Sequence, residues 1–418
     1  MNSSIPVDVA QLLGPIRSRT SFKDEPVPLS DSDMLARMIP LRAAAMDRTP
    51  IAGLTHRFYR YPARFSPLFA KEAIAQFSKL GDVVLDPYMG GGTSVVEATV
   101  AGRRGIGSDL NELAVFVARV KTTVLTPEQR TAIARWADVV VPALSYCGWH
   151  ERLEDTMCPQ RTHNLTLPRA RPIKKLVGLA LCGIEELPGP EAQAFARCVL
   201  LNTGQWALNG RKRSTPLSEF RERLSATAHE MLTGESDYAA AVRNILPARL
   251  YQSNAADLAG VVDPGSVDLV VTSPPYPGIH MLYHRWQVDG RRESPAPYWI
   301  AACNDGQGAS FYNFADRRQS AAHSYFVESL RTLAGIRSVM KRDAYFVQLI
   351  AFSDPTRHLP RYLANMEAAG FGEVRFNEDA GIGCHRRIWR LVPGRRWHAN
   401  LKGDLNSSRE VVLVHRAV

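Results

Sequence analysis

The sequence predicts an α/β protein built on a doubly wound parallel sheet that is interrupted by an inserted, mainly helical lobe. Three observations carry that expectation. Between Gly81 and Lys121, an apolar run ends in an acid, a glycine turn and a helical stretch follow, and a second short run ends in another acid. From 126 to 248 helical spacing dominates, broken by basic pieces such as Arg211-Lys212-Arg213. After Leu250 a further apolar run, Val267 to Val271, stops at two consecutive prolines, Pro274 and Pro275.

Each element has a local reason. Val83-Val84-Leu85 before Asp86 is a short apolar run of the kind buried on both faces of a parallel sheet. Thr93 to Val100 reads as a helix with Thr93 or Ser94 as N-cap, ended by Ala101-Gly102. Gly105 to Asp109 reads as the second strand and Glu112 to Lys121 as the next helix. Further on, Ser324 to Val339 and Leu359 to Ala369 have helical periodicity, while Tyr345 to Phe352 and Val411 to His415 read as strands. The expected organisation is an arm over 1–50, a ligand-binding half over 51–125, the lobe over 126–248 and a second half of the sheet over 249–418. A long Gly-, Pro- and aromatic-rich loop is expected over 277–320.

Composition narrows the function. The chain has 418 residues, 45% hydrophobic and 22% charged, enough apolar material for a sizeable core. A formal net charge of +10 favours a polyanionic partner, since Lys and Arg contacts to phosphate supply sequence-independent affinity. The six cysteines are scattered without a CxxC, so they read as thiols in a reducing cytoplasm, and no metal site is expected. The amino terminus lacks a signal-peptide pattern and no apolar run reaches membrane-spanning length, so no membrane association is expected.

Two loops carry the chemistry. Asp86-Pro87-Tyr88-Met89-Gly90-Gly91-Gly92-Thr93-Ser94 lets a ligand approach bare backbone at a helix start. Asp109 follows about 20 positions later, where an acid meets ribose hydroxyls in dinucleotide-type sites. The second loop is Thr272-Ser273-Pro274-Pro275-Tyr276. Its prolines restrict the residues before them, holding Ser273 and the nearby carbonyls beside an aromatic ring. A fixed hydroxyl, a carbonyl and a flat ring suit an aminopyrimidine or aminopurine.

These two stretches resemble the cofactor-binding and catalytic motifs of the DNA amino-methyltransferases. The Ser-Pro-Pro-Tyr form is similar to that of the N4-cytosine enzymes, whereas the N6-adenine enzymes more often carry Asp or Asn first. The segment from His56 to Pro67, with Tyr61, Pro62 and Phe65, resembles the family motif that covers the methionine end of the cofactor. Asn254-Ala255-Ala256-Asp257 resembles the segment lining its adenine. The resemblance implies a Rossmann-like fold and S-adenosylmethionine as cofactor. It places Tyr61, Pro62, Phe65, Asp86, Pro87, Tyr88, Gly90, Gly92, Thr93, Ser94, Asp109, Leu110, Asn254, Asp257 and Thr272 around that cofactor. Ser273, Pro274, Pro275 and Tyr276 become the catalytic residues.

The sequence departs from many N4-cytosine enzymes in placing the glycine motif before the catalytic one, and the first glycine of the usual loop is replaced near Tyr88-Met89. The implied chemistry is direct in-line methyl transfer to the exocyclic amine of a flipped base, with Ser273 and the Pro274 carbonyl accepting from that amine and Tyr276 stacking on the ring. No Pro-Cys dipeptide is present to act as a covalent nucleophile. The expected partner is double-stranded DNA, with a restriction or defence protein as a further one. Its contacts are expected from His284, Arg285, Trp286, Arg291 and Arg292, and from Arg386, Arg387, Arg390, Arg395 and Arg396 within the basic segment 385–402. N4-cytosine is the first reading. N6-adenine methylation by the same fold, an RNA amino-methyltransferase and a catalytically silent DNA-binding protein are the alternatives, and binding of the cofactor separates the last of these from the rest.

Overall fold

The structure, a computed structural model, describes residues 31–61, 65–157, 159–211, 213–242, 246–276, 285–290, 292–305, 321–374, 387–391 and 409–418. Its centre is one eight-stranded sheet. The strands are β1 (Val83–Asp86), β2 (Arg104–Asp109), β3 (Arg249–Gln252), β4 (Val267–Thr272), β7 (Met340–Ala351), β8 (Phe371–Glu373), β9 (Ile388–Leu391) and β10 (Arg409–Ala417). They lie in the order β3-β2-β1-β4-β7-β10-β8, with β9 pairing β10. Pairs from β3 through β7 are parallel, whereas β10 runs antiparallel to β7, β8 and β9. The chain order turns round between β1 and β4, which makes that boundary the topological switch point where open α/β sheets bind ligands. The architecture is the Rossmann-like fold expected.

Side-chain alternation along the strands builds two cores. Val84, Leu269, Val271, Val347, Leu349, Val412 and Val414 face one side, against helices α1 (Asp31–Met46) and α2 (Pro67–Phe77). Their neighbours Leu85, Val270, Phe346, Val411 and Leu413 face the other, against α10 (Ala321–Val339) and α11 (Pro355–Ala368). The region expected to be an arm therefore contains a packed helix: Met34, Met38, Leu41 and Ala45 of α1 are buried in the first core.

Helix α3 (Thr93–Val100) follows β1, and α4 (Glu112–Thr122) follows β2. Between α4 and β3 the chain runs through the lobe, whose main helices are α5 (Pro127–Arg135), α6 (Arg171–Ile184), α7 (Gly189–Leu208) and α8 (Leu217–Ala241). Thr126 opens α5 with a capping box, its hydroxyl accepting from Gln129 while the Gln129 side chain returns to the Thr126 backbone. The long loop expected after the prolines contains structure of its own. A hairpin, β5 (Trp286–Val288) and β6 (Arg292–Ser294), leads into the short helix α9 (Ala296–Ala301), and Trp286, Val288, Tyr298, Trp299 and Ile300 join the core of the lobe.

Helix α10 also positions the turn after β3. Gly335 lies so close to that turn, Ala255–Gly260, that an added Cβ would sit 2.3 Å from the Ala255 carbonyl and 2.6 Å from that of Ala256. Both obstacles are backbone, so neither yields cheaply. Gly335→Ala should cost about 1–3 kcal/mol of stability, as overpacking does. Urea unfolding at neutral pH checks this, and an unchanged midpoint would show that the helix does not press on the turn.

Candidate functional site

The carboxyl end of β1 supplies the first anchor. Asp86 is buried at the switch point and gathers the local loops around its carboxylate. Oδ2 accepts from the Ser94 hydroxyl at 2.7 Å, and Oδ1 accepts from the Thr272 hydroxyl at 2.5 Å and from the Tyr88 amide at 3.2 Å. Ser94 is thus engaged in the loop's architecture and is not the N-cap. Gly92, with φ of +74°, occupies that position, a left-handed conformation that favours glycine. The glycine missing near Tyr88-Met89 has a physical substitute. Met89 tucks its sulfur against Gly107 of β2, where a Cβ would lie only 2.3 Å from the sulfur.

Asp109 ends β2 and faces the same crevice. Its two oxygens accept from the Gly90 amide at 2.9 Å and from the Asn111 amide at 2.8 Å. A carboxylate offers about four acceptor positions, so capacity remains for the two hydroxyls of a ribose. Over the glycine loop lies Tyr61: an added Cβ at Gly90 would be 3.3 Å from its ring, and one at Gly91 would be 2.9 Å from the Tyr61 Cβ. The Tyr61 hydroxyl accepts from Asn111, which in turn accepts from Tyr298 of α9 at 3.2 Å. The Lys121 ammonium, buried to 1% exposure, donates to the Gly91 carbonyl at 2.7 Å. A bare-backbone cradle with an adjacent carboxylate and a tyrosine cover fits a small ligand carrying a ribose and a charged amino-acid end. S-adenosylmethionine has that chemistry.

Other expected cofactor residues fall in varied places. Pro87 and Thr93 are buried in the loop and helix start, and Tyr88 and Leu110 are half-buried at the ends of the two strands. Tyr88 leans toward the second core, where burial pushes its hydroxyl well above the usual tyrosine range. Asn254 caps the turn after β3, accepting from the Ala256 amide at 2.9 Å. Asp257 points outward, its carboxylate 3.6 Å from Arg331. Phe65 corrects an expectation. It packs edge-on to Phe69 in the core beneath the sheet, 5.6 Å between ring centres, because its place before α2 aims it inward. Pro62 lies outside the described residues.

The second loop begins where β4 ends, beside β1, with Leu85 paired to Val270. Thr272 is taken up by Asp86, so the two motifs are bonded to one another. The Ser273 and Tyr276 hydroxyls are 2.9 Å apart, and Tyr276 donates to Glu410 Oε1 at 3.0 Å. From α10, the Tyr325 hydroxyl donates to the Pro275 carbonyl at 2.7 Å. Tyr276, expected as an open stacking face, is 9% exposed and packed in the second core with its hydroxyl tethered.

The expected DNA contacts divide. Trp286 is 2% exposed, its indole lies on Gly204 of α7, and its N–H donates to Tyr59 at 3.1 Å, so it is a packing residue. Arg390 is also withdrawn, bonded to Glu410 at 2.7 Å and to the Ala45 carbonyl at the end of α1. Arg387 forks onto Glu373 and Arg285 pairs with Asp305, so each guanidinium already meets a carboxylate. Arg292 is exposed on the hairpin. His284, Arg291, Arg386, Arg395 and Arg396 lie outside the described residues. Sequence reading missed Lys121, Asn111, Tyr325 and Glu410, and also the buried pair of His56 with Glu97 at 2.7 Å, which ties the cover segment to α3. Of these, only Lys121 carried a signal, as a basic residue within an otherwise apolar helix face.

Comparison with known proteins bears on the first half. The profile of the DNA methylase family matches residues 46–119. Over 79 residues the chain is 38% identical to the Type II methyltransferase M.MvaI of Kocuria varians, which covers 18% of this chain and 17% of that protein. Over 66 residues it is 30% identical to the Type II methyltransferase M.MjaII of Methanocaldococcus jannaschii, covering 16% of this chain and 12% of that one. The matched segments thus span less than a fifth of either relative. Among solved structures, TrmN from Thermus thermophilus aligns with 87% of this chain and 53% of its own, at 13% identity and a TM-score of 0.32. No described helix is long and apolar enough to cross a membrane, and no described group of three or more His, Cys, Asp or Glu is placed to hold a metal ion.

Burial pushes both crevice carboxyls up from an ordinary 3.8 to about 6. At Asp86 the bonds from Thr272, Ser94 and Tyr88 pull the other way, and at Asp109 those from Asn111 and Gly90 do. Between pH of about 4 and 6 the folded chain therefore holds more protons than the unfolded one. Stability contributed here falls as pH rises through that window and levels off above it. Ligand binding at Asp109 should behave oppositely, because the ionised form is the stronger acceptor. S-adenosylmethionine affinity should drop as pH falls below about 6. Calorimetric titration on either side of that pH checks it. Asp109→Asn should weaken binding at neutral pH and flatten the pH dependence, and a wild-type affinity in that variant would remove Asp109 from the ribose site.

Proposed function

We propose that this chain, whose residues 46–119 match the DNA methylase family, is a DNA amino-methyltransferase that uses S-adenosylmethionine to methylate the exocyclic N4 amine of a flipped cytosine in a specific sequence of double-stranded DNA. The single observation that carries the reading is the Asp86 carboxylate. It binds both Ser94, behind the glycine loop, and Thr272, immediately before Ser273-Pro274-Pro275-Tyr276. The cofactor loop and the base-holding loop share one crevice because they share one hydrogen-bonded acid.

Bound in the cradle, the cofactor supplies an electrophilic methyl carbon. The chain's own contribution is placement and electrostatics. Asp109 takes the ribose hydroxyls, the glycine backbone and Tyr61 enclose the amino-acid end, and Asn254 borders the adenine. Ser273 and the Pro274 carbonyl accept the two N–H bonds of the target amine, which draws its lone pair away from the ring and toward the methyl carbon. The net charge of +10 and exposed basic residues such as Arg292 supply attraction to the duplex. The helical lobe, docked through the hairpin beside the crevice, is the part proposed to read the DNA sequence. A restriction or defence protein acting on the same sequence is the proposed partner.

Mass spectrometry of nucleosides from DNA treated with the protein and labelled S-adenosylmethionine tests the assignment. N4-methylcytosine is the expected product. N6-methyladenine alone would move the target to adenine, which the same loop can hold by the same two bonds. Cofactor binding without any methylated nucleoside would make the chain a silent DNA binder. Ser273→Ala should lower turnover by about a hundredfold or more while leaving cofactor affinity intact.

A further inference from the structure

The proposed target amine needs an acceptor, yet a serine hydroxyl can either donate or accept. We propose that Glu410 and Arg390 act through Tyr276 as positioning residues that fix the polarity of Ser273, so that it presents only lone pairs to the base. The inference rests on the function proposed above and deepens it.

The argument follows the protons. Glu410 and Arg390 face each other in register on β10 and β9, and the guanidinium meets Glu410 Oε2 at 2.7 Å from one nitrogen and 2.9 Å from another. Both side chains are largely buried, at 4% and 14% exposure, and a third guanidinium nitrogen donates to the Ala45 carbonyl at 3.0 Å. A carboxylate held in this way can only accept. The hydroxyl of Tyr276, 3.0 Å from Glu410 Oε1, must therefore spend its one proton there. Its oxygen, 2.9 Å from that of Ser273, is left to accept, and Ser273 must donate to it. The serine proton is then directed inward. The remaining lone pairs of Ser273, which is only half-buried, face the crevice. A base with an amine at that position is welcomed, and one with a carbonyl oxygen there meets lone pairs.

The test compares full-length wild type, Tyr276→Phe, Glu410→Gln and the double variant. Single-turnover transfer of labelled methyl to bulk DNA gives the rate, titration gives the KM for DNA, and calorimetry gives cofactor affinity. Each single variant should lose about ten- to a hundredfold in kcat, with DNA KM and cofactor affinity within about twofold of wild type. The double variant should be no slower than the slower single variant, since both changes break one relay. A Glu410→Gln protein at the wild-type rate overturns the relay, as do losses that multiply in the double variant or that appear in KM instead of kcat. If Glu410→Gln does not fold, Tyr276→Phe keeps the ring and its packing and decides the matter alone: wild-type kcat there overturns the proposal. A wild-type protein that transfers no methyl to DNA overturns the function proposed above and the relay with it. Active wild type with indifferent variants overturns the relay only.

Discussion

The site depends on one buried carboxylate at the switch point of the sheet. Asp86 sits where β1 and β4 run side by side, and its oxygens are filled by hydroxyls from the first turn of α3 and the last residue of β4. An acid buried without partners would be costly, and here the bonds from Ser94, Thr272 and Tyr88 satisfy it. That requirement works in both directions. The loops must come to the acid for it to be tolerated, and once there they are held in register with one another. The distance in sequence between the glycine turn and the paired prolines is thereby cancelled by a single set of hydrogen bonds.

Much of the first half of the chain was legible because its signals are local. A strand that ends in an acid, glycines that no side chain could replace and a second acid at a fixed spacing are all read from neighbours in sequence. The strands β4, β7 and β10 and the helices α10 and α11 are legible for the same reason, whereas the hairpin, α9, β8 and β9 are too short to carry a periodicity of their own. The N-terminal helix is hard to read because Pro40 stands inside it, although Met34, Met38, Leu41 and Ala45 keep a helical spacing. Trp286 and Arg390 were misplaced because aromatic and basic residues have the same appearance in sequence whether they face phosphate or a buried partner. Only the fold shows that Tyr59 and Glu410 take them. Phe65 departs from the cofactor cover that its motif implies because the start of α2 turns that ring under the sheet.

The lobe changes what the crevice is made of. It enters the chain between α4 and β3, and α9, packed into its core, reaches the glycine loop through Tyr298, whose hydroxyl meets Asn111, and thence Tyr61. It also holds the hairpin that follows the proline loop, through Trp286 on Gly204.

The antiparallel last strand has a chemical consequence. In a wholly parallel sheet every strand presents its carboxyl end to the crevice, and residues that begin strands lie at the opposite edge. Because β10 runs against β7, its opening residues lie at the crevice edge instead, with Glu410 paired to Ala351 at the end of β7. Reversal of one strand therefore delivers a buried acid to the far side of the proline loop, three strands along from Asp86. The two acids divide the loop between them, Asp86 holding its entry at Thr272 and Glu410 its exit at Tyr276. Ser273 lies between these fixed points. Its backbone is restricted by the proline that follows and its hydroxyl is held 2.9 Å from that of the tyrosine three residues on, so little side-chain freedom remains there.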